Sequence, residues 1–287
     1  MALVAVVGSA NLDLVVRVPH HPAAGETVLG GDLRRTPGGK GANQACAAAR
    51  AGGAETIFVG ALGHDDAADV LLASLERAGV NTAHVLRVAA PTGVALITVT
   101  PAGENTIVVA PGANKALDLG PDQVDRIRSA NVVLAQLEVP LHAITAAARA
   151  RTRPARFVLN AAPARDIPAV LWSEIDVLVV NEHEAAQLAG STADPDVLAA
   201  TLLERVPAVV VTLGPRGSLV ACRDAPIAHV PARPVEPVDT TGAGDTYCGV
   251  LAAGLARGMD LVEAAHQASD AAAEAVTRPG AQDAMTT

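Results

Sequence analysis

Short runs of β-branched residues alternate with alanine-rich stretches along most of the 287-residue chain, and this alternation restricts the fold more than any other feature. The runs at 3–7, 56–59, 132–134, 157–159, 177–180 and 209–213 are apolar almost throughout, as strands covered on both faces must be. Between them, 41–51, 65–78, 122–129, 141–151 and 182–188 read as helices. Strand and helix in turn imply an α/β fold, a doubly wound, mainly parallel sheet flanked by helices. Later, 217–222 and 227–230 read as antiparallel strands added at one edge, followed by helical stretches from Gly244 and from Leu261.

Two segments interrupt the rhythm. Residues 12–18 with 27–35, and 94–100 with 105–109, read as extended pairs, the second joined by Pro101, Ala102 and Gly103. No helices lie between them to cover both faces. They are expected either as ordinary edge strands or as a small β lid, formed by about 12–37 and 92–110, over the carboxyl ends of the core strands. A lid has one face to bury, so a homodimer joined through it is expected. The chain then reads as a single domain over 1–287 with the lid inserted into it.

Half of the residues are hydrophobic and 18% are charged, enough to bury a large core and too apolar for disorder. A net charge of −9 and only 1% aromatic residues provide neither the basic footprint nor the stacking platforms of a polynucleotide binder. A phosphorylated small ligand remains compatible, held by backbone N–H groups and a few cations between aliphatic walls. There is no long uncharged apolar stretch and no basic leader pattern at Met1–Val7, so a cytoplasmic protein is expected. Cys46, Cys222 and Cys248 are an odd set without C-x-x-C spacing; they read as small buried hydrophobes rather than a disulfide framework or zinc ligands.

The most chemically loaded stretch is Asp239, Thr240, Thr241, Gly242, Ala243, Gly244 and Asp245, placed just before an apolar helical run. Its glycines let successive N–H groups converge on an anion, and the following helix adds its positive end. Asp245 at the mouth of such a cradle could take the proton of an attacking hydroxyl. The same residue types also start ordinary helices.

Gly38, Gly39, Lys40, Gly41, Ala42 and Asn43 open another helix with a cation and an amide at its start. It is not a Walker loop, because Gly41 stands where Ser or Thr follows the lysine; the dinucleotide pattern fails at Tyr247. A tight turn with a solvated lysine is the plain alternative. Asn11 and Asp13 follow the first strand at a spacing that turns both side chains to one face, suited to vicinal hydroxyls. Glu138 lies beyond the strand at 132–134. Each of these three is also an ordinary turn or cap residue.

Asn181 and Glu184 have capping-box spacing after the strand at 177–180, and the pair could also organise hydrated Mg²⁺ on nucleotide phosphates. His183 does not begin a zinc-protease helix, since residue 187 is glutamine. His20 and His21 lie in a proline-bearing turn and read as surface residues. The turn Thr212, Leu213, Gly214, Pro215, Arg216 and Gly217 reads as a hairpin whose backbone could face a nucleotide.

Taken in order, Asn11-x-Asp13, Gly38 to Asn43, Gln136-Leu137-Glu138, Asn181 to Glu184, Thr212 to Gly217 and Asp239 to Asp245 resemble the ribokinase family of sugar kinases, the PfkB group. Thr92 to Ile97, Pro111 to Asn114, Asn160 to Arg165 and Val276 to Arg278 extend the resemblance over nearly the whole chain. It implies ATP-dependent phosphorylation of D-ribose at its 5-hydroxyl. Another sugar or nucleoside, such as fructose or deoxyribose, and a non-catalytic sugar sensor are the alternatives.

By the same resemblance Asp245 is the catalytic base and Gly242, Ala243 and Gly244 form the anion hole. Asn11, Asp13, Gly39, Lys40, Asn43 and Glu138 hold the sugar. ATP meets Asn181, Thr212, Gly214, Arg216, Gly217, Gly244 and His266, and Glu184 acts on Mg²⁺ through water. A K⁺ site made largely of backbone carbonyls is implied at Asp239, Thr241, Ala275, Arg278 and Gly280. The family often has a serine where this chain has Ala284, and the closing helical segment typical of the family does not follow before Thr287, so a looser cation loop is expected.

Overall fold

A computed structural model of the chain describes residues 2–282 together with Ala284 and Met285. The strands are β1 (Leu3–Val7), β2 (Asn11–Arg17), β3 (Arg34–Gly38), β4 (Glu55–Val59), β5 (Ala61–Leu62), β6 (Leu86–Arg87), β7 (Gly93–Val99), β8 (Asn105–Ala110), β9 (Val132–Gln136), β10 (Arg156–Asn160), β11 (Val177–Asn181), β12 (Ala208–Thr212), β13 (Ser218–Cys222) and β14 (Ala228–Val230). The α-helices are α1 (Lys40–Ala49), α2 (Asp66–Arg77), α3 (Pro121–Arg128), α4 (Leu141–Ala150), α5 (Ala169–Trp172), α6 (Glu182–Ala189), α7 (Pro195–Leu203), α8 (Ala243–Ala256) and α9 (Leu261–Ala275).

The main sheet runs β14-β13-β12-β11-β10-β9-β1-β4, parallel from β12 to β4 and antiparallel at the β13 and β14 edge. Alternation along each strand feeds two cores. Ala5 and Val7 of β1 join Ile127, Ile144, Leu171 and Leu198 from α3, α4, α5 and α7 on one face. Val4 and Val6 join Ala45, Leu71, Leu251 and Ala265 from α1, α2, α8 and α9 on the other. Each large aliphatic side chain buried this way contributes about 1.5–3 kcal/mol before entropy is counted.

The small residues of the second layer have a positional consequence. A Cβ on Gly249 of α8 would fall 2.5 Å from the Gln44 carbonyl oxygen and 2.6 Å from Ala47 Cβ of α1. Only glycine lets these two helices approach so closely, and that approach sets the start of α1 against the start of α8.

Outside the main sheet lies a four-stranded sheet of order β3-β2-β7-β8. Its two central strands, β2 and β7, pair in parallel, so the two extended segments form one sheet rather than separate hairpins. The partner of β2 is Arg34–Gly38, not 27–35: residues 27–33 form no strand, because Gly30 and Gly31 interrupt the extended run and Gly31 N–H is turned to the Arg17 carbonyl at 2.8 Å. The strand β8 is exposed along its whole length. The short α5, the helix α7 and the β5–β6 pair had no counterpart among the sequence expectations. Cys46 and Cys248 are buried and Cys222 is half-buried. No helix among the described residues is long and apolar enough to cross a membrane.

Candidate active site

The chain enters α8 through Gly242, whose φ of 77° and ψ of 2° lie in the left-handed region that glycine occupies without a Cβ clash. The first N–H groups of a helix lack intrahelical partners and carry its positive end. Of the three residues expected to supply the anion cradle, Gly242 and Gly244 line a cleft of about 140 Å³, whereas the Ala243 N–H bonds back to the Thr240 carbonyl at 3.3 Å. Asp245, in the same first turn, is 8% exposed and lines the cleft too.

Both carboxylate oxygens of Asp245 are engaged. Asn43 Nδ2 donates to Oδ2 and Gln44 Nε2 to Oδ1, each at 2.9 Å, across the close approach of α1 and α8. Gln44 is held in turn by Gln136 Nε2, which donates to its Oε1 at 2.6 Å, and it donates to Asn160 Oδ1 at 3.0 Å.

Lys40 stands at the first position of α1, with its side chain lining the same cleft. Burial works against the ammonium, but Asp245, Glu138 and Glu184 outweigh it and hold the Lys40 pKa above its ordinary value. Glu138 Oε2 accepts from the Ser9 hydroxyl and from the Lys40 N–H, the latter at 3.3 Å. Asp13 on β2 is the other perturbed acid: burial, then Glu138 and Asp245, push its pKa up to about 7. Asn11 is buried with its Oδ1 accepting from Asn114 Nδ2 at 2.8 Å, and Gly39 packs against the Ala10–Asn11 backbone. Glu138 thus faces both Asp13 and the Lys40 ammonium, and Asp245 faces the same two groups.

Farther along the cleft, Asn181 and Glu184 form the capping box of α6: Glu184 N–H donates to Asn181 Oδ1 at 2.8 Å, and Asn181 N–H to Glu184 Oε2 at 2.9 Å. Burial raises the Glu184 pKa, while the Asn181 N–H and Lys40 oppose the rise. Thr212 lines the cleft; Gly214 and Arg216 are exposed in the next turn, with Arg216 paired to Glu182, and Gly217 is buried at its end. His266 is exposed on α9, outside the residues that line the cleft.

Asp239 joins the two segments of the expected cation loop, its Oδ1 accepting from Thr241 N–H and its Oδ2 from Gly280 N–H, each at 2.9 Å. Burial opposes ionisation there, but these hydrogen bonds prevail and lower the Asp239 pKa. The Ala275 carbonyl accepts the Arg278 N–H at 3.1 Å, and Arg278 pairs with Glu274. Ala284 is buried; Thr287 lies outside the described residues.

Residues 1–287 match the sequence profile of the pfkB family carbohydrate kinases. The chain belongs to this family. Among pfkB relatives it is 36% identical to a ribokinase of Bacillus subtilis, with 100% of this chain and 97% of the relative covered. It is 34% identical to a deoxyribokinase of Salmonella typhi over 97% of this chain and 94% of the relative. The structure of Arabidopsis thaliana ribokinase complexed with ribose and ATP superposes with a TM-score of 0.92 at 32% identity, covering 100% of this chain and 96% of that one. Its fold is therefore the ribokinase-like α/β sheet with a second small sheet.

Gln44, Asn160, Asn114, Ser9 and Gln282 were not among the expected site residues, yet they brace those that were. The one local signal was the Asn43-Gln44 pair, polar side chains in an otherwise alanine-rich helix.

Proposed function

We propose that this pfkB kinase transfers the γ-phosphoryl group of ATP to the 5-hydroxyl of D-ribose, giving D-ribose 5-phosphate and ADP. The observation that carries the reading is the doubly anchored Asp245 carboxylate at the start of α8, sharing one cleft with Lys40, Gly242 and Gly244. The 5-oxygen attacks the γ-phosphorus, its proton passes to Asp245, and the bond to the bridging oxygen of ADP breaks. The helix start and Lys40 meet charge as it spreads over the transferring group. The similarity to ribokinases supports ribose as the acceptor, held by Asn11, Asp13, Gly39, Lys40, Asn43 and Glu138. Asn181, the turn from Thr212 to Gly217 and His266 serve the nucleotide. ATP supply fits a cytoplasmic location.

Mg²⁺ fits Glu184, a cleft-lining carboxyl with one oxygen already used in the cap, provided the ion is held mainly by phosphate and water. Consistent with that, no group of three or more His, Cys, Asp or Glu among the described residues could hold a metal alone. When bound, Mg²⁺ supplies charge neutralisation on the β- and γ-phosphates. K⁺ fits the loop pair joined by Asp239, where backbone carbonyls of Thr241, Ala275, Arg278 and Gly280 are hard oxygen donors; bound there, it adds positive charge beside the anion cradle. The small sheet closes over the sugar as a lid and joins two copies into a homodimer.

A coupled ADP-release assay with ribose, deoxyribose, fructose and a nucleoside tests the acceptor, and ribose is expected to give the highest kcat/KM. Asp245→Asn should lower turnover by about 10²–10⁴-fold while calorimetry still detects ribose and ATP binding. Full turnover in that variant would remove Asp245 from its role.

A further inference from the structure

Gln282 lies in the segment after α9, is buried, and has no role in the reading above. Its Nε2 donates to Asn43 Oδ1 at 3.0 Å, across 239 residues of sequence, and its Oε1 accepts the Ser74 hydroxyl of α2 at 2.7 Å. Asn43 then donates to Asp245. We propose that Gln282 is a positioning residue for the phosphoryl transfer: its amide fixes which end of Asn43 faces Asp245 and so holds the base carboxylate in its reactive orientation.

Donors and acceptors decide which way Asn43 faces. An ionised carboxylate only accepts, so Asn43 must offer its NH₂ and turn its carbonyl away. Inverting that amide would set carbonyl oxygen against carboxylate oxygen. With no donor behind it, Asn43 could rotate; with Gln282 behind it, rotation would also oppose two NH₂ groups. The Ser74 hydroxyl, which can donate or accept, satisfies Gln282 Oε1 without dictating which way that amide faces. The phase is set by the acceptor-only carboxylate and reinforced by the Gln282 amide behind Asn43, while Gln44, backed by Gln136, meets the other carboxylate oxygen. On the Gln282 side every amide of the chain has a partner, whereas on the other side Gln136 Oε1 is buried without one.

This inference rests on Asp245 being the base of a sugar kinase. It is tested with Gln282→Leu, which removes the donor at similar volume, measured alone and in an Asn43→Ala background. Gln282→Leu alone is expected to lower kcat by about tenfold or more with the KM for ATP unchanged. In the Asn43→Ala background no amide is left to orient, so Gln282→Leu should change kcat little further. A packing role would not produce that coupling in kcat. If Gln282→Leu keeps the parent's kcat, or lowers kcat by the same factor with and without Asn43, the positioning role is overturned even where the melting temperature has dropped. An inactive parent would instead overturn the kinase reading and this inference with it, so the two failures are distinguishable.

Discussion

The Asp239 carboxylate accepts the Gly280 N–H at 2.9 Å and thereby fastens the loop before α8 to the loop after α9. Its other oxygen takes Thr241, so one side chain shapes both halves of the proposed K⁺ site and the approach to Gly242. Asp239→Ala should cost about 1.5–3 kcal/mol per lost charge-assisted hydrogen bond at most, less for the exposed part. It should also lower kcat and blunt the gain on replacing Na⁺ by K⁺. Rates in paired sodium and potassium buffers check this; a variant with the parent's full potassium response would exclude Asp239 from the cation site.

Asp13 carries a titration into the range where enzymes are assayed. Half-buried and facing Glu138 and Asp245, its carboxyl is pushed up to about 7, so it becomes a better acceptor for hydroxyls as pH rises through that value. The KM for ribose should fall severalfold between about pH 6 and about pH 8, with the KM for ATP nearly constant. The stability effect has the opposite direction. The folded-state pKa exceeds the ordinary 3.8 of the unfolded chain, so the folded form is favoured while Asp13 is protonated and loses that advantage as pH rises from about 4 to about 7. Asp13→Asn should therefore melt higher than the parent at pH 8, melt alike near pH 4, and bind ribose poorly. A stabilisation independent of pH would rule out burial of the charge as its cause.

Gly41 and Gly244 should respond to alanine in different ways. A Cβ on Gly41 would lie 2.6 Å from Gly8 C and Ser9 N, backbone that cannot yield without moving α1 from β1. Gly41→Ala is expected to cost about 1–3 kcal/mol and to depress activity by displacing Lys40 and Asn43. A Cβ on Gly244 meets nothing within 4 Å, because it points into open space at the cleft. Gly244→Ala should melt like the parent yet bind ATP more weakly. Thermal melts paired with nucleotide titration check both; unchanged ATP affinity in Gly244→Ala would place the phosphates elsewhere.

The exposed apolar strand β8 bears on assembly. Leu14, Leu96 and Val108 stand in one cross-strand row, with Leu96 51% and Val108 60% exposed. Such a row on an edge sheet calls for a partner surface. Leu96→Lys combined with Val108→Lys should convert a dimer to a monomer by light scattering, with a raised KM for ribose if closure of the lid depends on the pairing. A parent that is monomeric at high concentration would sink the dimer proposal.

The main sheet was legible because its signals are local. Runs such as 132–134 are apolar at every position and sit between helical stretches, and chain neighbours in such folds become neighbours in space. Asp245 stood out as a candidate for the same reason, as the acid and its glycines fall within the four consecutive positions 242–245. Its supports were not. Asn43 and Gln44 lie 202 and 201 residues away from it, and Ser74, Gln136 and Gln282 are single polar residues whose meaning depends on which amide they meet. The error at 27–35 has a similar origin: its extended composition is plain, but Gly30 and Gly31 move the pairing to Arg34–Gly38. The engagement of the Ala243 N–H by Thr240 likewise depends on the angle at which the chain enters α8.

Because Asp245 near one end of the polypeptide is clamped by the amides of Asn43 and Gln44 near the other, a growing chain on the ribosome holds no assembled cleft. Only after α8 has been synthesised and docked on α1 do both oxygens of that carboxylate find their donors.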